Sequence, residues 1–385
     1  MAAPLKAVTA PMSIAGLTAP AGLTARNDAG PRQSSRARPG GIRMKTFRNS
    51  SRLTRRLAVV AVTASLLTTA ACGSDSKDTA SSGDSAVTIG IVELNLDNPF
   101  FGTLEKATES AATAKGWKVM KAEAKVAGDS ATQVAAIENM IAQGVKAIVL
   151  DPANPTALNN VVKKARDKGI FVVTVNATLT PADGADATFA TDNVAAGTLI
   201  GKWAKAKAPA DPHIAMLDYD LSDGPASGRH DGFLAGYGIT LDDPAIAGSG
   251  LTEGSIDTGQ SAMENLLSAN PDINVVYTIN EPVARGAATA LKNKGITDAL
   301  IVSVDGACSG VQYVKDKVIG ATAMQFPDKM GSMAVDSIAA FLKDGTKPAT
   351  VLNDSGSTLI TDSPVDGLAS QTSDWGLEHC WGTKS

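Results

Sequence analysis

Residues 87–101 read VTIGIVELNLDNPFF. The first six are apolar or β-branched and show no polar–apolar alternation, which predicts a strand buried on both faces rather than one with a wet face. Helical periodicity then takes over near Pro99–Lys115. The unit recurs down the chain. VMKAEA (119–124) precedes a helix near Ser130–Ala142, and KAIVL (146–150), IFVVTV (170–175), HIAML (213–217), NVVYTI (274–279), ALIVSV (299–304) and GATAM (320–324) predict further strands, most of them followed by helices. Continuous apolar strands alternating with helices specify an α/β fold, with helices covering both faces of parallel sheets.

The chain has 385 residues, 44% hydrophobic and 19% charged. That length suggests two domains with ample apolar content for real cores, and disfavours both a disordered chain and a disulfide-dense miniprotein. The formal net charge of −4 hides an asymmetry. Residues 1–56 hold 11 of the 35 basic residues and one acid, Asp28, and residues 57–71 hold no charge; 24 bases and 38 acids remain from residue 72 onward, a net of −14. So acidic a body argues against nucleic acid as a partner.

The uncharged run LAVVAVTASLLTTAA (57–71) follows the basic segment and ends in small residues, the layout of a secretory signal. Its 15 residues fall short of the roughly 20 needed to span a bilayer, so cleavage is expected. The ending Thr69-Ala-Ala-Cys72-Gly-Ser resembles a bacterial lipoprotein box with Thr69 where Leu is usual, which makes Cys72 the expected acylation site; an ordinary signal with a nearby cysteine is the alternative. Met44 is a candidate natural start, residues 1–43 have no expected folded role, and residues 72–85, rich in Ser, Gly and Asp, suit a flexible tether. With Cys72 carrying lipid, Cys308 and Cys380 are left as a pair in an oxidising compartment, where a disulfide is expected.

No Walker-type phosphate loop appears, and Gly248, Gly250 and Gly254 lack the dinucleotide spacing. His213, His230 and His379 show no metal-ligand spacing, and no Gly-x-Ser-x-Gly elbow supports a nucleophile. No enzyme activity, cofactor or metal is therefore expected. In open parallel α/β sheets, ligands sit beyond the carboxyl ends of the strands. The residues there are Glu93, Asn95, Asn98, Phe100 and Phe101, then Asp151, Asn176, Asp218 and Asp220, and then Asn280, Glu281, Asp305 and Gln325. Carboxylates and carboxamides in such number suit the vicinal hydroxyls of a polyol, although any one of them could instead cap a helix. Of the paired phenylalanines, one suits the core and the other a flat face for sugar C–H groups.

These residues carry a resemblance. LDNPFF (96–101), ATDNVAAG (190–197), TINEPVARGA (278–287), VDGA (304–307) and MQFPDKMG (324–331) resemble the ribose-binding type of periplasmic sugar-binding proteins of ABC importers. The stretch NPDINVVYTINEP (270–282), Cys308 and the ending HCWG (379–382) look closest to the fructose-binding members. The resemblance implies two Rossmann-like lobes, residues 86–191 with 326–354 and residues 192–325 with 355–385. They would be joined by crossovers near Thr191, Gln325 and Asp354 and would close on the ligand like a hinged jaw. Carried over by motif, the ligand-binding residues are Asn98, Phe100, Phe101, Asp151, Asn176, Arg229, Asn280, Asp305 and Gln325. Gly254 and Val304 stand where the ribose pattern has aromatics, and Asn176-Ala177 where it has Asp-Arg, which implies a larger or differently shaped sugar, fructose first. The implied protein is a lipid-anchored extracytoplasmic monomer that delivers a monosaccharide to an ABC permease with a cytosolic ATPase. A sensor that presents its ligand to a membrane receptor is the alternative.

Overall fold

The computed structural model describes residues 86–383 apart from Asn95, Asp97, Val126 and Ala127. The expectations about the basic extension, the uncharged run, acylated Cys72 and the tether lie outside the described residues. Among the described residues no helix is long and apolar enough to cross a membrane.

The chain opens with β1 (Thr88–Glu93), α1 (Pro99–Ala114), β2 (Lys118–Glu123), α2 (Ser130–Gln143), β3 (Ala147–Leu150), α3 (Asn159–Asp167), β4 (Phe171–Val175) and β5 (Ala187–Ala190). It continues through α4 (Asn193–Lys207), β6 (Ile214–Asp218), α5 (Gly224–Tyr237), β7 (Ile246–Leu251), α6 (Ile256–Ala269), β8 (Val275–Thr278), α7 (Glu281–Asn293), β9 (Leu300–Asp305), α8 (Cys308–Lys315) and β10 (Ala321–Gln325). It ends with α9 (Pro327–Asp344), β11 (Leu352–Asp354), β12 (Ser357–Ile360) and α10 (Ser373–His379).

Two six-stranded sheets result, ordered β11-β5-β4-β3-β1-β2 and β12-β10-β9-β8-β6-β7. Every pairing is parallel except that of β10 with β12. The molecule is therefore an α/β protein of two lobes with the same winding, and each lobe has a topological switch point, between β1 and β3 in the first and between β6 and β8 in the second. β5, β7, β11 and β12 were not anticipated. β5 and β12 have four residues each, β11 is a three-residue edge, and β7 (IAGSGL) is a partly exposed edge strand rich in glycine.

The central strands are fully buried, as their unbroken apolar runs require. In the first lobe Ile89, Phe100, Leu104, Val149, Phe171 and Val173 pack with Met330 and Ile338 of α9. In the second, Ile200 and Trp203 of α4 pack with Met216, Phe233, Tyr277 and Leu359. The chain thus passes between lobes after β5, after β10, and between β11 and β12. At the last passage the Ser355 amide donates to the Ala190 carbonyl at 2.8 Å. The Asp354 carboxylate accepts from the amides of Asp192 at 2.9 Å and Gly356 at 2.8 Å, so two of the three passages are bound together.

Cys308 and Cys380 form a disulfide with Cα atoms 4.9 Å apart, fastening the C-terminal segment to α8. That segment then carries Trp381 into the core of the other lobe. The ring is buried, meets Phe100 edge-on at 5.5 Å, and donates from Nε1 to the Gln325 carbonyl at 3.0 Å.

α4 and α5 lie backbone against backbone. A Cβ added at Gly197 would fall against the Arg229 carbonyl oxygen, and one at Gly232 against that of Val194. Rigid backbone cannot yield as a side chain can. Gly197→Ala is accordingly expected to push the helices apart and destabilise the protein by about 1–3 kcal/mol, read as a lower urea midpoint.

Candidate functional site

The candidate residues stand at the carboxyl ends of the two sheets, which are the two candidate walls of a ligand site. On the first wall, Asn98 is the N-cap of α1: its Oδ1 accepts the Phe100 amide at 2.9 Å, and its Nδ2 has no partner among the described residues. Phe100 points into the core between Phe101 and Trp381, while Phe101 is half-buried and braced edge-on by Phe100 at 5.5 Å. Phe100 is therefore the core member of the pair. Asp151 follows β3, fully buried; its amide donates to the Val92 carbonyl at 2.9 Å and its carbonyl accepts from Gln133 Nε2 at 2.7 Å. Asn176 ends β4 with a left-handed φ of 61°, a conformation asparagine tolerates better than most residues, and its Nδ2 donates to both Asp151 oxygens at 3.3 and 3.2 Å.

On the second wall, Arg229 of α5 is buried and oriented by three partners. Its Nε donates to Asn193 Oδ1 at 2.9 Å, Nη1 donates to the Ile279 carbonyl at 2.9 Å, and Nη1 lies 3.6 Å from Asp305 Oδ1. Asp305 closes β9 at φ 151°, and Oδ1 also accepts from Gln325 Nε2 at 3.0 Å. The Gln325 Oε1 is buried without a hydrogen-bond partner among the described residues. Asn280 caps α7 through Oδ1 to the Val283 amide at 3.0 Å and donates to the Gly254 carbonyl at 3.0 Å, so much of its amide is already committed within the protein.

Glu281 organises this wall from behind. Its carboxylate accepts from the Gly306 amide at 2.8 Å, the Ala307 amide at 3.0 Å and the Thr322 hydroxyl at 2.8 Å, which fixes the turn carrying Asp305. Sequence reasoning placed Glu281 only among strand-end residues and missed this role; its position directly after Asn280 was the available signal. Asn193, Gln133 and Trp381 were missed as supports because each acts from a distant segment.

Electrostatics give the cleft its character. Burial pushes Asp305 up to about 6, against the opposing pull of the Arg229 guanidinium and the Gln325 amide. Burial, with Asp305 close by, pushes Glu281 up to about 8. Burial raises Asp151 well above the usual carboxylate range, partly offset by Asn176, and the charge of Asp223 at the start of α5 adds to the rise. His230 pairs with Asp218 at 3.0 Å beneath the second wall, and that hydrogen bond raises the imidazole. Among the described residues no group of three or more His, Cys, Asp or Glu side chains could hold a metal ion.

Residues 89–347 match the family described as periplasmic binding protein domain. The chain belongs to that family. This binding protein is 29% identical over 282 residues to the ribose import binding protein RbsB of Bacillus subtilis (strain 168), covering 72% of this chain and 90% of the relative. A crystal structure of a galactofuranose binding protein superposes with TM-score 0.67 at 25% identity, covering 76% and 97% of the two chains. An ABC transporter solute binding protein from Mycobacterium smegmatis with bound glycerol superposes with TM-score 0.66 at 29% identity, covering 75% and 98%. The relatives of this binding protein are sugar-binding transport proteins, not enzymes.

The buried acids make stability depend on pH. Both Asp305 and Glu281 hold protons in the folded state that the unfolded chain would release, so their contribution is complete below the ordinary carboxylate range and is lost as pH rises through about 6 and about 8. Unliganded protein should lose about 1 kcal/mol per pH unit across that window in denaturant titrations, and Glu281→Gln should flatten its upper half.

Proposed function

We propose that this protein is an extracytoplasmic sugar-binding component of an ABC importer, closing its two lobes on a neutral monosaccharide. The observation that carries the proposal is that Asp151 with Asn176, and Asp305 with Gln325, stand as hydrogen-bonded pairs at the ends of β3, β4, β9 and β10. They form an acceptor-rich lining, buried except at half-buried Asn176, whose carboxylates are incompletely paired. Sugar hydroxyls donate hydrogen bonds that such a lining lacks.

Asn98 and Phe101 would supply a polar contact and a ring face from the first lobe, with Phe100 behind them, and Arg229 and Asn280 would reach ring or anomeric oxygens from the second. A sugar acid is disfavoured because its carboxylate would meet Asp151 and Asp305 across the same cleft. Ligand binding to both walls stabilises the closed state by the difference in contacts between open and closed forms. The ribose and galactofuranose specificities of the relatives support a monosaccharide ligand. Fructose remains the first candidate here, on the departures at Gly254, Val304 and Asn176 and the fructose-type C-terminal ending. The signal-like run before Cys72 supports a lipid-anchored monomer that hands its sugar to a permease driven by a cytosolic ATPase.

Thermal-shift screening against ketoses, aldoses, inositols and sugar acids tests the reading. At least one neutral monosaccharide should raise the melting temperature while sugar acids leave it unchanged, because a ligand that binds only the folded form stabilises it. Turnover of a bound sugar would refute the reading. For the sugar that binds, Asp305→Ala should cost about 1–3 kcal/mol of affinity or more in calorimetry. Hydroxyls bind the ionised carboxylate, so wild-type affinity should fall by up to about tenfold from pH 7 to pH 5, and Asp305→Asn should remove that component.

A further inference from the structure

Glu93 is the last residue of β1 and lies at the switch point of the first lobe. Its backbone is pinned on both sides: its carbonyl accepts from the Ala124 amide at 2.9 Å and from Gln133 Nε2 at 3.4 Å, and the neighbouring Val92 carbonyl accepts from Asp151. Side-chain alternation puts Glu93 on the sheet face of Ile89, and Asp151 on that of Ala147 and Val149. Ile89, Ala147 and Val149 share the core under α1, so the two acids sit side by side on adjacent strands, facing the helix that bears Asn98 and Phe101.

Glu93 is fully buried, and neither of its carboxyl oxygens makes a hydrogen bond of good geometry among the described residues, the Leu94 amide being the one donor close by. Asp151 beside it receives only the long bonds from Asn176. Where the ribose-type pattern has Asp-Arg, this chain has Asn176-Ala177. A buried carboxyl without partners is among the more costly groups a fold can retain, and a purely structural position would be better filled by an apolar residue. Its own carboxyl is held well above the usual range by burial first, then by Asp151 and Glu105, with the Leu94 amide offsetting only part.

We propose that Glu93 is a specificity-determining ligand contact, acting with Asp151 as a paired-carboxyl receptor for two neighbouring sugar hydroxyls on the first wall. The proposal rests on the sugar-binding reading above. It assigns to β1 a ligand contact that the carried-over residues lack. Stability and function should then oppose each other at this position.

The test uses the full chain and a neutral panel of D-fructose, D-ribose, D-galactose and myo-inositol, with calorimetric affinity and the melting temperature of unliganded protein measured together. Glu93→Gln should weaken the sugar bound by the wild type by about tenfold. Glu93→Met should weaken it by about 100-fold or more while raising the unliganded melting temperature, because it removes a partnerless buried acid. Wild-type affinity in both variants would overturn the contact while leaving the sugar reading intact. A Glu93→Met variant that melts lower and loses affinity only through unfolding would show a structural role and overturn it equally. No binding of any panel member to the wild type would count against the sugar reading and this contact together.

Discussion

The structure depends on placing unpaired carboxylates out of water at the ends of parallel strands. A charge there is costly unless hydrogen bonds or a counter-charge compensate, and the protein compensates only in part. Asp305 has Arg229 and Gln325, Asp151 has Asn176 alone, and Gln325 keeps an acceptor oxygen with no partner among the described residues. Protonation supplies part of the remainder, as the raised Asp305 and Asp151 show. Under the proposed sugar-binding reading, a ligand dense in hydroxyls and free of negative charge would supply donors for the rest.

The scaffold makes the lining rigid. α4 and α5 approach so closely that only glycine fits between them, which fixes Arg229 relative to the second sheet. Glu281 fixes the turn after β9 through two amides and a hydroxyl. The disulfide fastens the C-terminal segment to α8, from which Trp381 crosses to Phe100 and to the Gln325 carbonyl. One covalent bond in the second lobe thus supports an edge-on ring cluster in the first. The hydrogen bonds of Asp354 and Ser355 hold two of the passages between the lobes together.

Much of this was legible in the sequence. The buried strands announced themselves as unbroken apolar runs, and Asp151, Asn176, Asp305 and Gln325, expected at strand ends from the sequence, do stand at or just after the ends of β3, β4, β9 and β10. The edge strands were illegible for a physical reason: β7 is glycine-rich and β11 is short and exposed, so neither needs the composition that marks a buried strand. Supports were harder than contacts. Asn193 and Trp381 act across 36 and 56 residues of sequence, on Arg229 and Gln325 respectively, and no local pattern encodes such pairings. Phe100 and Phe101 looked equivalent as neighbours; helical geometry turned one inward and left the other half-buried.

A crystal structure of the protein grown with a neutral monosaccharide that it binds tests the central claim most directly. The account predicts one sugar between the lobes, with hydroxyls at about 2.6–3.2 Å from Asp151 of the first lobe and from Asp305 and Gln325 of the second. A sugar that touches one lobe only, or that lies away from these strand ends, would contradict it.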